Sequence, residues 1–349
     1  MKPKKIAILH FNIIEKYPPV MNFIFDALDV NPELQILVFT TKNTTSYQTP
    51  YFPNTKIYRF GKVSAKPIVR YSSYLYYNLL SSLILLFSKV EHITAFESLS
   101  VFPLWIRSKL RPSTKAHLHF HEYLSEPERK ASSGHMKFLF KLEDQLLKNY
   151  TCSQTNEDRK RLFLEDKPFL QPAQVEVRPN IPPKSWWHKF GQFKKPSSDG
   201  KIRLVHVGAC DNKTMYVKEV LDWVLSNQDS LELTLISQQL DAETKALILS
   251  YNCPTICIKA PVNYYELPQE LMKYDVGLVL YKGHIPNYVY NVPNKVHEYL
   301  SCGLSVFCDS KLKSTASLKH QKIHLTNFQE IHLSDIYDYK SLQIFKILV

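Results

Sequence analysis

Lys295 and Glu298 stand three residues apart in NVPNKVHEYLSCGLSVFCD (Asn291–Asp309), and their types at that spacing suit nucleotide chemistry. Pro293 presets φ for a first helical turn, so the pattern predicts a helix opening near Asn294. Val296, Tyr299 and Leu300 then share one apolar face. Gly303 ends the helix, and Leu304–Cys308 reads as a strand buried on both faces. Near the helix N terminus, exposed N–H groups and the dipole favour an anion, most simply a phosphate. There Lys295 would meet phosphate charge and Glu298 would accept two hydroxyl protons from a ribose. On the local pattern alone, a surface i,i+3 ion pair worth about a few tenths of a kcal/mol is the simpler reading.

A second set of candidates lies in FHEYLSEPE, after the predicted strand Lys115–His119. His121 follows that strand at its carboxyl end, where a histidine binds a sugar hydroxyl or serves as a base. His117, His119 and His121 alternate along it, which suits polar packing or an adventitious metal; no fourth ligand for zinc is visible. Glu122 and Glu126 are candidate acid/base groups, although solvated loop carboxylates are commoner. Glu15, Lys16 and Tyr17, ahead of Pro18-Pro19, either line an acceptor side or form an ordinary exposed turn.

Elements alternate along the chain to position these residues. Strands are predicted at Ile6–Leu9, Leu34–Thr40, Lys56–Phe60, His92–Phe96, Lys115–His119, Tyr150–Ser153 and Val175–Arg178. Helices are predicted at Met21–Leu28, Val69–Ser88, Val101–Leu110, Lys137–Leu147 and Asn156–Leu164. PNIPPKSWWHKFGQFKKPSSDG, rich in Pro, Lys, Ser and Trp, reads as a linker. The alternation restarts with strands at Arg203–Val207, Leu231–Ile236, Thr255–Lys259, Val276–Tyr281 and Ile323–Thr326. Helices at Thr214–Leu225, Ala242–Tyr251 and Glu266–Tyr274 separate them. The fold class is therefore α/β, with two Rossmann-like doubly wound domains facing each other across a cleft. The boundaries are 1–180 for the N-terminal domain, 181–200 for the linker and 201–330 for the C-terminal domain. Residues 331–349 would return to the N-terminal domain as a helix.

Composition narrows the partners. The 349 residues carry a net charge of +12 with only 8 glycines, and no G-x-G-x-x-G or Walker A pattern occurs. A basic chain favours anionic partners, here nucleotide-linked substrates or an acidic membrane surface. The basic residues are spread out and no nucleic-acid module is present, so no nucleic-acid partner is expected. The six cysteines match no zinc spacing and read mostly as buried reduced thiols, which suits a cytoplasmic setting. No signal peptide and no membrane-spanning run is apparent. Arg70–Lys89 is an apolar, tyrosine-rich segment with basic ends. A crossover helix packed on a sheet accounts for it slightly more simply than a helix lying on a membrane. For the whole protein, peripheral contact with the anionic inner face of a membrane is expected.

The chain resembles GT-B-fold glycosyltransferases, especially family 4, across nearly its whole length. PNKVHEYLSCGLSVF is similar to that family's donor-site helix and following strand, with the carboxylate matching Glu298 holding the nucleotide ribose. RPNIPP at Arg178–Pro183 resembles the segment closing the N-terminal domain, and HFHEYLSEPE the histidine-bearing loop near donor sugar and acceptor. Tyr290 stands where many members carry a first glutamate, and NIIEKYPPV replaces a glycine-rich turn. VHVGACDNKTMYVKE offers Gly208, for close approach to a diphosphate, and Lys213 in place of the usual basic pair. The resemblance implies sugar transfer, with retention, from a UDP- or GDP-linked nucleotide sugar to a carbohydrate or lipid-linked acceptor, in polysaccharide or glycan synthesis. Donor-site residues would be Gly208, Lys213, Tyr290, Asn294, Lys295 and Glu298. Glu15, Lys16, Tyr17 and Glu122 would line the acceptor side, and His121 would be catalytic. The nucleotide sugar is a co-substrate, and no cofactor or metal is implied. A nucleotide-sugar 2-epimerase and a non-catalytic nucleotide- or sugar-binding protein are the competing readings.

Overall fold

A computed structural model describes residues 4–190, 200–237 and 240–336, and the chain divides into two compact units, Met1–Pro183 and Lys184–Val349. In the first unit the elements run β1 (Lys5–Leu9), α1 (Pro18–Val30), β2 (Gln35–Thr40), β3 (Thr55–Arg59), α2 (Pro67–Phe87), β4 (His92–Phe96) and α3 (Val101–Leu110). They continue with β5 (Lys115–His119), α4 (Glu126–Ala131), α5 (Gly134–Leu147), β6 (Thr151–Gln154), α6 (Glu157–Asp166) and β7 (Val175–Val177). The strands form one parallel sheet in the order β3-β2-β1-β4-β5-β6-β7. Strand order reverses between β1 and β4, so their carboxyl ends flank the crevice where open α/β sheets bind ligands.

The second unit begins with α7 (Lys184–Phe190), β8 (Ile202–Val207), α8 (Val217–Ser226), β9 (Leu231–Ile236), α9 (Ala242–Ser250), β10 (Ile256–Lys259) and α10 (Leu267–Leu271). It continues with β11 (Val276–Val279), α11 (Pro286–Val289), α12 (Asn294–Ser301), β12 (Ser305–Asp309), α13 (Lys313–Ala316) and β13 (Ile323–Thr326). Its parallel sheet has the order β10-β9-β8-β11-β12-β13, reversing between β8 and β11. The runs Leu204–Val205, Val276–Val279 and Val306–Cys308 are buried on both faces, as central parallel strands require.

Several boundaries differ from the sequence expectation, each for a local reason. Helix α1 opens three residues early because Pro18 and Pro19, read as a turn, occupy its first turn, where a missing N–H costs nothing. Helix α4 was not anticipated, yet Ser125 and Glu128 form the reciprocal cap of an S-x-x-E box, with Ser125 N–H donating to Glu128 Oε2 at 2.8 Å. The segment 181–200, expected to be a linker, contains α7. Trp186 buries its ring against Tyr264 at 4.9 Å between centroids, and this burial outweighs the Pro- and Lys-rich composition. Residues 333–336 are helical, and Ile336 packs into the second unit's core beside Phe328. The rest of the expected returning helix lies outside the described residues. Among the six cysteines, Cys152, Cys210, Cys302 and Cys308 are buried, whereas Cys257, on the edge strand β10, is exposed.

Candidate functional site

Helix α12 is fixed against the sheet by one side chain. Tyr299 lies flat on Gly277 of β11, where a Cβ would meet its ring at 2.1 Å, and its hydroxyl accepts the Val207 N–H of β8 at 3.0 Å. The helix N terminus is thereby set at the carboxyl edge of β8 and β11, where the strand order reverses. No side chain caps its first turn, at Asn294. Lys295 is buried there, with Nζ 3.5 Å from His206 Nε2 and 4.9 Å from the centre of the Tyr281 ring. Gly208 follows β8 with φ +107°, a conformation that favours glycine; a Cβ there would stand 3.7 Å from Lys295 Nζ. His206 Nδ1 lies 3.0 Å from Leu278 O and Nε2 3.0 Å from Ala209 O, so the neutral ring donates to one of the two carbonyls, with Lys295 Nζ beside Nε2.

Glu298 is 5% exposed, and among the described residues no hydrogen bond or ion pair reaches its carboxylate. Burial pushes its carboxyl up to about 7, against the opposing pull of Lys295. Burial also brings the Lys295 amine down to about 8. A cation and a carboxylate, both stripped of water at an uncapped helix N terminus, form a site in need of charged or hydrogen-bonding partners. This is no surface ion pair.

Other donor-side candidates lie elsewhere. Lys213 is solvent-exposed and pairs with Glu243 Oε2 at 3.7 Å, because Asp211 caps the turn at Thr214 and holds Lys213 on its outer side. Tyr290 ends α11, with Lys313 Nζ 5.9 Å from its ring centre. The cations at this strand edge that the sequence reading passed over are Lys282, bonded to Asn212 O at 2.9 Å, and Lys311, bonded to the Tyr216 hydroxyl at 3.2 Å. Their signal was their place just after β11 and β12.

In the first unit, the residues after β1, β4 and β5 gather around His121. Its ring is buried, with centroids 5.0 Å from His119, 5.3 Å from Phe96, 6.1 Å from His10 and 6.2 Å from Tyr17. Neither ring nitrogen of His121 or His10 has a partner. Burial lowers the pKa of His121 well below its ordinary value, so the ring is neutral and suited to exchanging hydrogen bonds with a hydroxyl. Glu97, absent from the candidates read from the sequence, organises the loop. It holds φ +62° and ψ 159°, a region nearly confined to glycine, at a cost on the order of 1–3 kcal/mol. Its Oε1 accepts the N–H groups of His121 and Glu122, the latter at 3.3 Å. Burial pushes the Glu97 carboxyl up to about 8.

The remaining acceptor-side residues divide. Tyr17 stacks near His121 and its hydroxyl accepts Asn12 Nδ2 at 2.5 Å. Glu122 and Lys16 are both exposed. Glu15 is buried, and its Oε1 is held at 2.5 Å by both Thr49 and Arg59, a tie between loops. His117 and His119 use their nitrogens on Thr151 and Ser153 of β6, at 2.7–2.8 Å. His117 and His119 are thus satisfied polar packing, whereas His121 is not. Among the described residues no cluster of His, Cys, Asp or Glu is arranged to hold a metal, and no helix is long and apolar enough to cross a membrane.

No family model and no curated protein matches the chain in sequence. Solved structures match its architecture. HepE from Anabaena, in complex with UDP-glucose, superimposes with a TM-score of 0.67 at 12% identity, covering 97% of this chain and 90% of that one. A glycosyltransferase from Rickettsia africae gives 0.65 at 10% identity, covering 98% and 89%. Sucrose-phosphate synthase from Thermosynechococcus elongatus gives 0.61 at 14% identity, covering 87% and 80%. The fold is GT-B. In this GT-B chain the two strand-order reversals carry the Lys295–Glu298 pair in one unit and the His121 cluster in the other.

Proposed function

We propose that the protein is a family 4-type glycosyltransferase that moves a sugar from a UDP- or GDP-linked donor to a carbohydrate or lipid-linked acceptor. The observation that carries this reading is the buried Lys295–Glu298 pair at the strand-order reversal of the second unit, with the carboxylate unpaired. Lys295 and the N–H groups opening α12 receive the diphosphate, and Gly208 lets the backbone approach it. Glu298 accepts the ribose hydroxyls. As the diphosphate leaves, its charge grows where a cation and helix dipole already stand, which lowers the barrier without reorganisation. His121, neutral and with two unused nitrogens, exchanges hydrogen bonds with a sugar hydroxyl, and Tyr17 beside it shapes the acceptor approach.

The test is incubation with a panel of UDP- and GDP-sugars and candidate acceptors, following free nucleotide and the fate of the sugar. Acceptor-dependent release of nucleoside diphosphate with a new glycoside is expected. Return of an altered nucleotide sugar without acceptor would mean epimerisation. Nucleotide binding without turnover would mean a binding protein, a reading that Tyr290 at the first-glutamate position favours.

A further inference from the structure

Helix α2 is built with its faces reversed. Its inward side carries Ser73, Asn78, Ser81 and Ser82, all buried, together with Tyr74, Tyr77 and Leu85. Its outward side carries Ile68, Leu75, Leu79, Leu83 and Phe87, which are 85%, 70%, 63%, 49% and 78% exposed. These positions follow one another at seven- and four-residue steps, so they form a single apolar band along about 30 Å of helix. Small inner residues let α2 seat closely: Ser73 fills the space beside Gly61, where a Cβ would fall 2.6 Å from Ser73 O. Arg107 of α3 bonds Ser88 O at 3.0 Å and Leu85 O, closing the helix C terminus. The band therefore does not turn inward without dismantling the layer.

Charge identifies what covers it. Residues 61–90 contain Lys62, Lys66, Arg70 and Lys89 and no acidic residue, and all four are exposed. The helix packed beside α2, α3, also has no acidic residue, and it adds exposed Lys109. Exposed Tyr71 and Tyr76 flank the band, as rings suited to a boundary between water and hydrocarbon. An apolar stripe flanked by Lys62, Lys66, Arg70 and Lys89, with exposed Glu91 beyond its C-terminal end, complements an anionic lipid surface. We infer that the outward face of α2 docks on an anionic bilayer, lying in its interface without crossing it.

Sedimentation with phosphatidylcholine vesicles, with and without about a third phosphatidylglycerol, tests this with the full chain and no nucleotide sugar, so the outcome is independent of the proposed activity. Binding to the anionic vesicles at low salt is expected, weakening on the order of a hundredfold when Lys62, Lys66 and Arg70 are changed to Ser. Leu75→Asp/Leu79→Asp/Leu83→Asp should abolish it while circular dichroism and the thermal midpoint stay as in the parent, because these side chains are already in water. In Leu79→Trp, indole emission should shift to the blue only when vesicles are added. Absence of binding at low salt overturns the inference. So does equal binding by the triple Asp variant, or a Leu79→Trp emission already blue and shielded in a lipid-free dimer.

Discussion

Glu298 and Lys295 place two charges where water cannot solvate them, and the consequence is a stability that depends on pH. The Glu298 carboxyl rises from 4.5 to about 7 on burial, so the folded chain keeps a proton that the unfolded chain has released. Its contribution is therefore complete below about pH 4.5 and is lost as pH rises through about 7. Lys295 works in the other direction: its amine falls from 10.5 to about 8, and stability recovers as pH climbs between those values. Glu298→Gln should accordingly raise the thermal midpoint of the unliganded protein at pH 8, corresponding to about 3 kcal/mol of unfolding free energy. Near pH 4 it should change little. Nucleoside diphosphate affinity should fall about tenfold to a hundredfold in the same variant. Unchanged affinity sinks the ribose role, and an unchanged midpoint at pH 8 sinks the desolvation account. Residue type and helical spacing alone favoured a surface ion pair, because they carry no information on the burial that the structure shows for both side chains. Glu97 was not legible, since a glutamate in a glycine-only conformation leaves no mark in composition or period. The exposure of Lys213 was not legible either, because its spacing says nothing of the Asp211 cap beside it.

At the scale of elements, α12 depends on a contact between a glycine and a ring. Gly277→Ala would set a methyl 2.1 Å from the Tyr299 ring, and β11 lies in the middle of the sheet with no room to yield. The expected cost is about 1–3 kcal/mol in chemical denaturation, with weaker nucleotide binding as α12 is pushed from β11. A variant with parental stability and affinity would show that the ring swings aside freely. Strand positions and most helices followed from alternation and apolar runs, because central parallel strands tolerate little else. The faces of α2 did not follow, since a leucine-rich stripe normally points to the core and here serines do. Tyr74 and Tyr77 pack inward as a crossover helix predicts, while Tyr71 and Tyr76 do not, so each reading of that segment described one side of it. Helix α7 was hidden because prolines and lysines dominate the composition around one anchoring tryptophan.

At the scale of the whole molecule, two doubly wound sheets repeat one solution to ligand binding, each placing chemistry at its own strand-order reversal. That architecture is shared with the three matched structures at only 10–14% identity. The outward band of α2 adds a kinetic consequence. A protein held at an interface searches for a lipid-linked acceptor in two dimensions, so its rate follows the acceptor's mole fraction in the bilayer and not its bulk concentration. Diluting the acceptor tenfold with inert anionic lipid, at constant total acceptor, should then slow turnover by up to about tenfold when the surface is unsaturated. The triple Asp variant, working from solution, should be slow throughout and indifferent to that dilution. A parental rate that tracks only bulk acceptor would show that the enzyme samples each vesicle afresh at every turnover. Surface dilution thus converts the geometry of one inverted helix into a measurable order of reaction.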